Sequence, residues 1–450
     1  MWPYSTATMM RKRGNTLYNL YKSLTTILFP FLHLHLHYRK FRGLEHSSRW
    51  PERLGIPSLR RPPGLLLWFH AVSLGEGMAA IPVIRRCLIE RPDLNILMTT
   101  TTVSGFEVLK NQLPPAVIYQ FAPLDIPAVV DAFLSYWKPS AIILLESELW
   151  PNLIMSAAIN KIFLALLNAR MSEKSFRRWS APSVLPLITL MLSKFSLISP
   201  LSTTESIRFQ LLQAPPLIIS SSADLKYAVG RCAMSKNSLK DVEDLRLQLS
   251  HRPSWMASSI HKGEHEVILQ AHKKLLQNHN SLLTVIVPRH PQHGYEFAQR
   301  LREEGFDVAV RPDGGKLTSA TNVYMVNTLG ELREFYRLMP IAVVGGSFLP
   351  DLAGHNISEA MASGCAVLTG PHIGHFSHMV SAMQRFNNLS VLQVSKESEL
   401  ITALHELLSD PVTLEARQSA AEQAFNALSS GVLAHVWIQL DRFILRKLPI

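Results

Sequence analysis

The stretch "WFHAVSLGEGMAAIPVIRRCL", Trp68 to Leu88, decides how this chain is read. An apolar run ends at Val72, a short turn with two glycines follows, and apolar residues then recur at helical spacing. Strand, turn and helix in that order form the opening of a βαβ unit and predict a parallel sheet. One carboxylate, Glu76, stands between Gly75 and Gly77. Those glycines predict a tight turn, with the helix starting near Met78 and its N-terminus aimed at whatever is bound.

The same alternation extends in both directions. Leu65–Val72, Asn95–Thr102, Ala116–Phe121, Ser140–Ser147, Lys161–Asn168 and Phe195–Pro200 read as strands separated by amphipathic stretches. A Pro- and Ser-containing segment, Leu211–Val229, marks the approach to a domain boundary. Trp255–Ile260, Ser281–Pro288, Phe306–Arg311, Asn322–Asn327, Ile341–Gly346 and Ala366–Gly370 then repeat the scheme. The 450 residues suit two domains. The predicted organisation is an N-terminal segment 1–45, a first Rossmann-like domain 46–222, a second 223–428, and a helix 429–450 that crosses back to the first.

The composition, 47% hydrophobic and 18% charged, is that of a folded globular protein and excludes extensive disorder. Three scattered cysteines, Cys87, Cys232 and Cys365, exclude a disulfide framework or a cysteine-based zinc site and fit a reducing compartment. The net charge of +11 is concentrated at one end. Eleven Lys and Arg against Glu45 and Glu52 give +9 between Met1 and Pro62, which leaves +2 for the rest. This basic segment brackets the mostly apolar Thr16–Tyr38, interrupted by Lys22 and Pro30. It reads as an N-terminal membrane anchor helix, either spanning or lying in the interface, retained in the mature chain. The basic residues after it favour the cytoplasmic face of a cell inner membrane. His33, His35 and His37 read as interfacial histidines, and no metal is assigned.

In open parallel sheets, ligands bind beyond the carboxyl ends of the strands, so the residues just after each apolar run are the ones to weigh. Glu76 is one. Glu146 and Glu148 follow another strand, where two acids can fix hydroxyls or support a base. On residue type alone all three also read as helix-entry acids favoured by the helix dipole, and both readings stay open at this point. Asn168 and Arg170 follow a third strand. In the second half, Ser258, Ser259 and His261 precede Gly263 at a strand-to-helix junction suited to phosphate. Arg289 can take a phosphate or carboxylate in bidentate fashion. Gly345 and Gly346 end a strand ahead of Asn356 and Glu359, the latter able to accept from a ribose diol. No dinucleotide fingerprint follows the first strand, and no P-loop, HExxH pair or GxSxG elbow is present.

Taken in order, "FHAVSLGEG", "TTTTVSGFEVLK", "LLESELWPNL", "LNARMSEKS", "DLKYA", "SSIHKGEHE", "VPRHP", "NTLGEL" and "GGSFLPDLAGHNISEAMASGCAVLTGP" resemble the 3-deoxy-D-manno-octulosonic acid (Kdo) transferases of lipopolysaccharide synthesis. The chain departs from the family pattern at Ala223-Asp224, usually Gly-Asn, and at Ile357–Ala360, usually Pro-rich. The resemblance implies a GT-B fold, two Rossmann-like domains facing an inter-domain cleft. It implies a CMP-Kdo donor on the second domain, a lipid A precursor on the first, and an inverting transfer without metal or cofactor. Glu76 would be the catalytic base, supported by Glu146 and Glu148. Ser73, Asn168, Arg170 and Lys226 fall on the acceptor side. Ser258, Ser259, His261, Arg289, Gly345, Gly346, Asn356 and Glu359 fall on the donor side. An anionic membrane surface is the partner expected for the basic end, where each Lys or Arg contributes on the order of 1 kcal/mol. A GT-B transferase using a UDP-sugar and a membrane lipid is the competing enzyme class. A nucleic-acid module is disfavoured, because no stacking-aromatic array accompanies the charge.

Overall fold

The computed structural model describes residues 3–221, 223–229, 245–246, 248–249, 252–311 and 317–448. Cys232 lies outside them. The chain forms two compact units, one comprising Met1–Val229 with Gly431–Ile450 and the other Gly230–Ser430.

The first unit is built on a six-stranded sheet of β1 (Leu66–His70), β2 (Asn95–Thr100), β3 (Val117–Phe121), β4 (Ala141–Leu145), β5 (Phe163–Ala169) and β6 (Leu197–Pro200). The order is β3-β2-β1-β4-β5-β6 and every pairing is parallel. Such strands are covered on both faces, which is why they are continuous apolar runs and not alternating ones. Trp68, Ile142, Leu144, Leu164, Leu166 and Ile198 lie at the centre of one core cluster. The order reverses between β1 and β4, so the chain leaves their carboxyl ends in opposite directions and opens a crevice there.

The second unit carries β7 (Ser254–Ile260), β8 (Leu283–Pro288), β9 (Val308–Arg311), β10 (Val323–Val326), β11 (Ile341–Val344), β12 (Ala366–Thr369) and β13 (Val391–Gln393). Their order is β13-β12-β11-β7-β8-β10-β9, again parallel. Here the reversal lies between β7 and β11. Twelve strands fall on the apolar runs of the sequence, whereas β13, three residues at the sheet edge, is too short to give a pattern.

The first unit reaches Val229, beyond the boundary expected at residue 222. The extra residues are tied in: the Leu225 N–H donates to Asn168 Oδ1 at 2.9 Å, and Lys226 pairs with Glu146. The helix Val432–Phe443 belongs to the same unit.

The expected anchor helix is not one element. Helix α1 runs Pro3–Ile27 and α2 runs Phe29–Phe41, with the break at Leu28 just ahead of Pro30. Among the described residues no helix is long and apolar enough to cross a membrane. Lys22 and the basic run Arg11–Arg13 sit within α1 and dilute its apolar face. Instead α1 docks on the helix Leu185–Leu192, where Gly14 lies against Pro186 and Leu190 and Tyr18 is buried. Tyr21 donates to Asp125 at 3.0 Å. Leu20, Leu24, Ile27, Phe31, Leu34 and Phe41 remain exposed.

Candidate active site

In the first unit, helix α3 (Leu74–Glu90) begins four residues earlier than expected, with Ser73 as its N-cap. The glycines are not there for a left-handed turn. Gly75 faces open space, and a Cβ on Gly77 would lie 2.3 Å from Leu109, so that glycine permits close helix packing. Glu76 therefore sits in the first helical turn with its carboxylate folded back. It accepts the Val72 N–H at 2.8 Å and the Ser73 hydroxyl at 2.9 Å.

Two further acids approach from β4. Glu146 and Glu148 are both buried. Glu146 is compensated by Lys226 at 2.6 Å and Arg170 at 3.4 Å. Glu148 accepts the Trp150 indole N–H at 2.5 Å. Burial, then the charge of Glu146 and to a lesser degree that of Glu148, push the Glu76 carboxyl up to about 7, against the opposing bonds from Val72 and Ser73. A carboxyl tuned to that value is matched to taking a proton near neutrality. Ser73, Arg170 and Lys226 thus contact these carboxylates, whereas the Asn168 side chain is used by the Leu225 N–H.

In the second unit the crevice between β7 and β11 is organised by a residue the sequence reading passed over, Glu264. It is fully buried. Its carboxylate accepts four backbone N–H groups, from His261, Gly346, Ser347 and Phe348, at 2.8 to 2.9 Å. The signal for it was the capping-box spacing from His261 to Glu264. Gly346 has φ +66°, and a Cβ there would meet the His355 ring. That ring stacks on His261 with an Nε2 to Nε2 distance of 2.9 Å. Burial, with Arg289 and the neighbouring histidines, holds His355 down to about 3, so the imidazole is neutral in the folded protein. Arg289 itself is exposed, and among the described residues its guanidinium makes no ion pair. Together these give neutral imidazoles beside one exposed guanidinium, Arg289, a surface suited to an anion.

The remaining donor-side residues divide. Asn356 Oδ1 accepts the Ser358 N–H at 3.0 Å, and Glu359 lies 3.4 Å from Arg333. Ser258 is fully buried with its hydroxyl 2.8 Å from that of Tyr336, which fits a supporting role behind the loop. Ser259 has a left-handed backbone, φ 57°, as do Glu146 (55°) and Asn168 (53°). Three of six such non-glycine residues among those described therefore lie at the carboxyl ends of strands β4, β5 and β7. Backbone strain of this kind persists where surrounding structure enforces it, and functional crevices are where it concentrates. No group of three or more potential metal ligands occurs among the described residues.

The family description "3-Deoxy-D-manno-octulosonic-acid transferase (kdotransferase)" matches residues 48–229. A relative from Arabidopsis thaliana, named a probable mitochondrial 3-deoxy-D-manno-octulosonic acid transferase, is 58% identical over 97% of this chain and 98% of its own. A 3-deoxy-D-manno-octulosonic acid transferase from Haemophilus influenzae is 30% identical over 91% of this chain and 94% of its own. Among solved structures, a glycosyltransferase from Rickettsia africae is similar in fold, with TM-score 0.55 at 12% identity, covering 86% of this chain and all of the other.

Proposed function

The chain belongs to the Kdo transferase family of glycosyltransferases, and on that premise we propose that it moves Kdo from CMP-Kdo to a lipid A precursor by inverting displacement, with Glu76 as general base. The Glu76 carboxylate takes the proton of the acceptor hydroxyl as that oxygen attacks the anomeric carbon of Kdo. The bond from this carbon to the phosphate oxygen breaks, and its electron pair leaves with CMP as a phosphate monoester. Glu146 and Glu148 keep the base avid for the proton. Arg289, the His261–His355 pair and the Gly345-Gly346 turn would hold the donor's phosphate or carboxylate, with Asn356 and Glu359 beside its nucleoside. No step requires a metal or cofactor.

The observation that carries this reading is the setting of Glu76: fixed by a backbone N–H and a hydroxyl, crowded by two acids, and pushed up to about 7. The test is mass spectrometry of a tetra-acylated lipid A precursor incubated with the protein and CMP-Kdo. Mass increments of Kdo are expected, and their number counts the sugars added. Transfer from a UDP-sugar with none from CMP-Kdo would replace the donor assignment by the competing one.

We also propose that α1 and α2 lie on an anionic membrane surface. The exposed leucines, Ile27, Phe31 and Phe41 supply apolar area, and Arg39, Lys40 and Arg42 supply charge. The expected cytoplasmic face of a cell inner membrane and the mitochondrial location in the Arabidopsis relative's name share this chemistry. Fractionation of the tagged chain decides between them, and flotation with anionic but not zwitterionic vesicles checks the binding.

A further inference from the structure

Behind the three carboxylates stands a buried histidine that the proposed mechanism does not use. His70 ends β1 and is 1% exposed. Its Nδ1 lies 2.9 Å from Thr99 Oγ1, and its Nε2 lies 3.6 Å from Glu148 Oε2 with no hydrogen-bond partner. Thr99, on the neighbouring strand β2 and fully buried, also receives the Trp68 indole N–H at 2.8 Å.

This chain of contacts fixes a tautomer. Indole N–H can only donate, so it occupies one lone pair of the Thr99 oxygen. The Thr99 hydroxyl hydrogen then needs an acceptor, and His70 Nδ1 is the one within reach. With Nδ1 accepting, the imidazole proton is on Nε2, facing Glu148. The indole of Trp150, edge-on to the His70 ring at 5.3 Å, donates to the same Glu148 oxygen. The Trp150 indole N–H and, at 3.6 Å, His70 Nε2 thus both face Oε2 of Glu148.

We propose that His70 is a positioning residue, which through the Trp68–Thr99 relay presents Nε2–H to Glu148 and keeps that carboxylate turned toward Glu76. The role rests on Glu76 being the working base. It adds how the neighbouring acid is held, since an unclamped Glu148 would swing toward water and its charge would no longer act on Glu76. The groups that face Glu76 are Glu146 and Glu148 together with the Val72 N–H and Ser73 hydroxyl, while Lys226 and Arg170 face Glu146 and His70 faces Glu148.

The test is a carbon-13 NMR titration of side-chain glutamate carboxyls in the full-length protein, with Glu76 identified by its absence in Glu76→Gln. The wild-type midpoint is expected near 7. His70→Asn retains the bond toward Thr99 but does not reach Glu148, and should lower that midpoint by roughly half a pH unit or more. His70→Gln, whose amide nitrogen takes the place of Nε2, should restore it. Thr99→Val, cutting the relay from the other side, should lower it as well and serves if His70→Asn fails to fold. An unchanged midpoint in both His70→Asn and Thr99→Val, with a lowered one in Glu148→Gln, overturns the role. The titration needs no turnover, so it stands apart from the base assignment, which fails separately if Glu76→Gln keeps its transferase rate.

Discussion

Two glutamates occupy corresponding places in the two sheets and do opposite things. Glu76 follows β1 and Glu264 follows β7, each at the strand where the order reverses. Glu264 is fully buried and accepts four backbone N–H groups, which ties the turn after β11 to the turn after β7. Glu76 accepts one backbone N–H and one hydroxyl, faces two other acids, and keeps part of its surface open. A carboxylate saturated with backbone donors is a structural brace, because removing it strands buried N–H groups. One left short of donors and crowded by like charge is reactive, at some cost to stability.

The contrast predicts different failures. The largest expected effect is on Glu76→Gln, which should lower the transfer rate by roughly a hundredfold or more while leaving the fold intact. Its folded-state pKa lies above the ordinary value for Glu. The folded protein therefore binds the proton more tightly than the unfolded chain, and stability falls as pH rises through about 7. At pH 8 the glutamine variant should melt no lower than wild type, checked by calorimetry. Glu264→Gln should do the reverse, destabilising the second unit by roughly 2 to 5 kcal/mol and lowering Tm, because an amide nitrogen would face backbone donors. An unchanged melting curve in Glu264→Gln would break the comparison.

A third carboxylate sharpens it. Asp125 accepts the backbone N–H groups of Asn152 and Leu153 and the Tyr21 hydroxyl, yet burial still pushes it up to about 6. Its contribution to stability is full below the ordinary Asp pKa and lost as pH rises through about 6. Asp125→Asn should therefore cost more stability at pH 5 than at pH 7, by on the order of 1 kcal/mol, read from denaturant melts at the two values. The smallest effect concerns thiols. Cys87 and Cys365 are buried and pushed up to about 12, so neither should react with a thiol reagent in the native protein at pH 8.

Much of this was legible in the sequence because strands buried on both faces leave long apolar runs. The residues after those runs at β1, β4 and β5 converge on one acidic cluster in the first unit. What stayed hidden depended on tertiary contact. The start of α3 was displaced because Gly75 and Gly77 look like a turn, whereas Gly77 answers to Leu109 on another helix. Glu264 lies in "HKGEHE", which resembles a solvated charge run, and its partners Gly346 to Phe348 are more than eighty positions away. His70 reads as the polar end of a strand until Thr99 and Glu148 are placed beside it. The division of Thr16–Tyr38 between two helices was hidden because hydropathy along it does not reveal that α1 docks on Leu185–Leu192.

If Glu76 takes the proton, its titration must appear in kcat/KM measured between pH 5 and 9. An acid limb with a midpoint near 7, set by Glu76, is expected in the wild type and should be lost from the residual activity of Glu76→Gln. A limb that persists unchanged in Glu76→Gln, or a wild-type rate flat through pH 7, would contradict it.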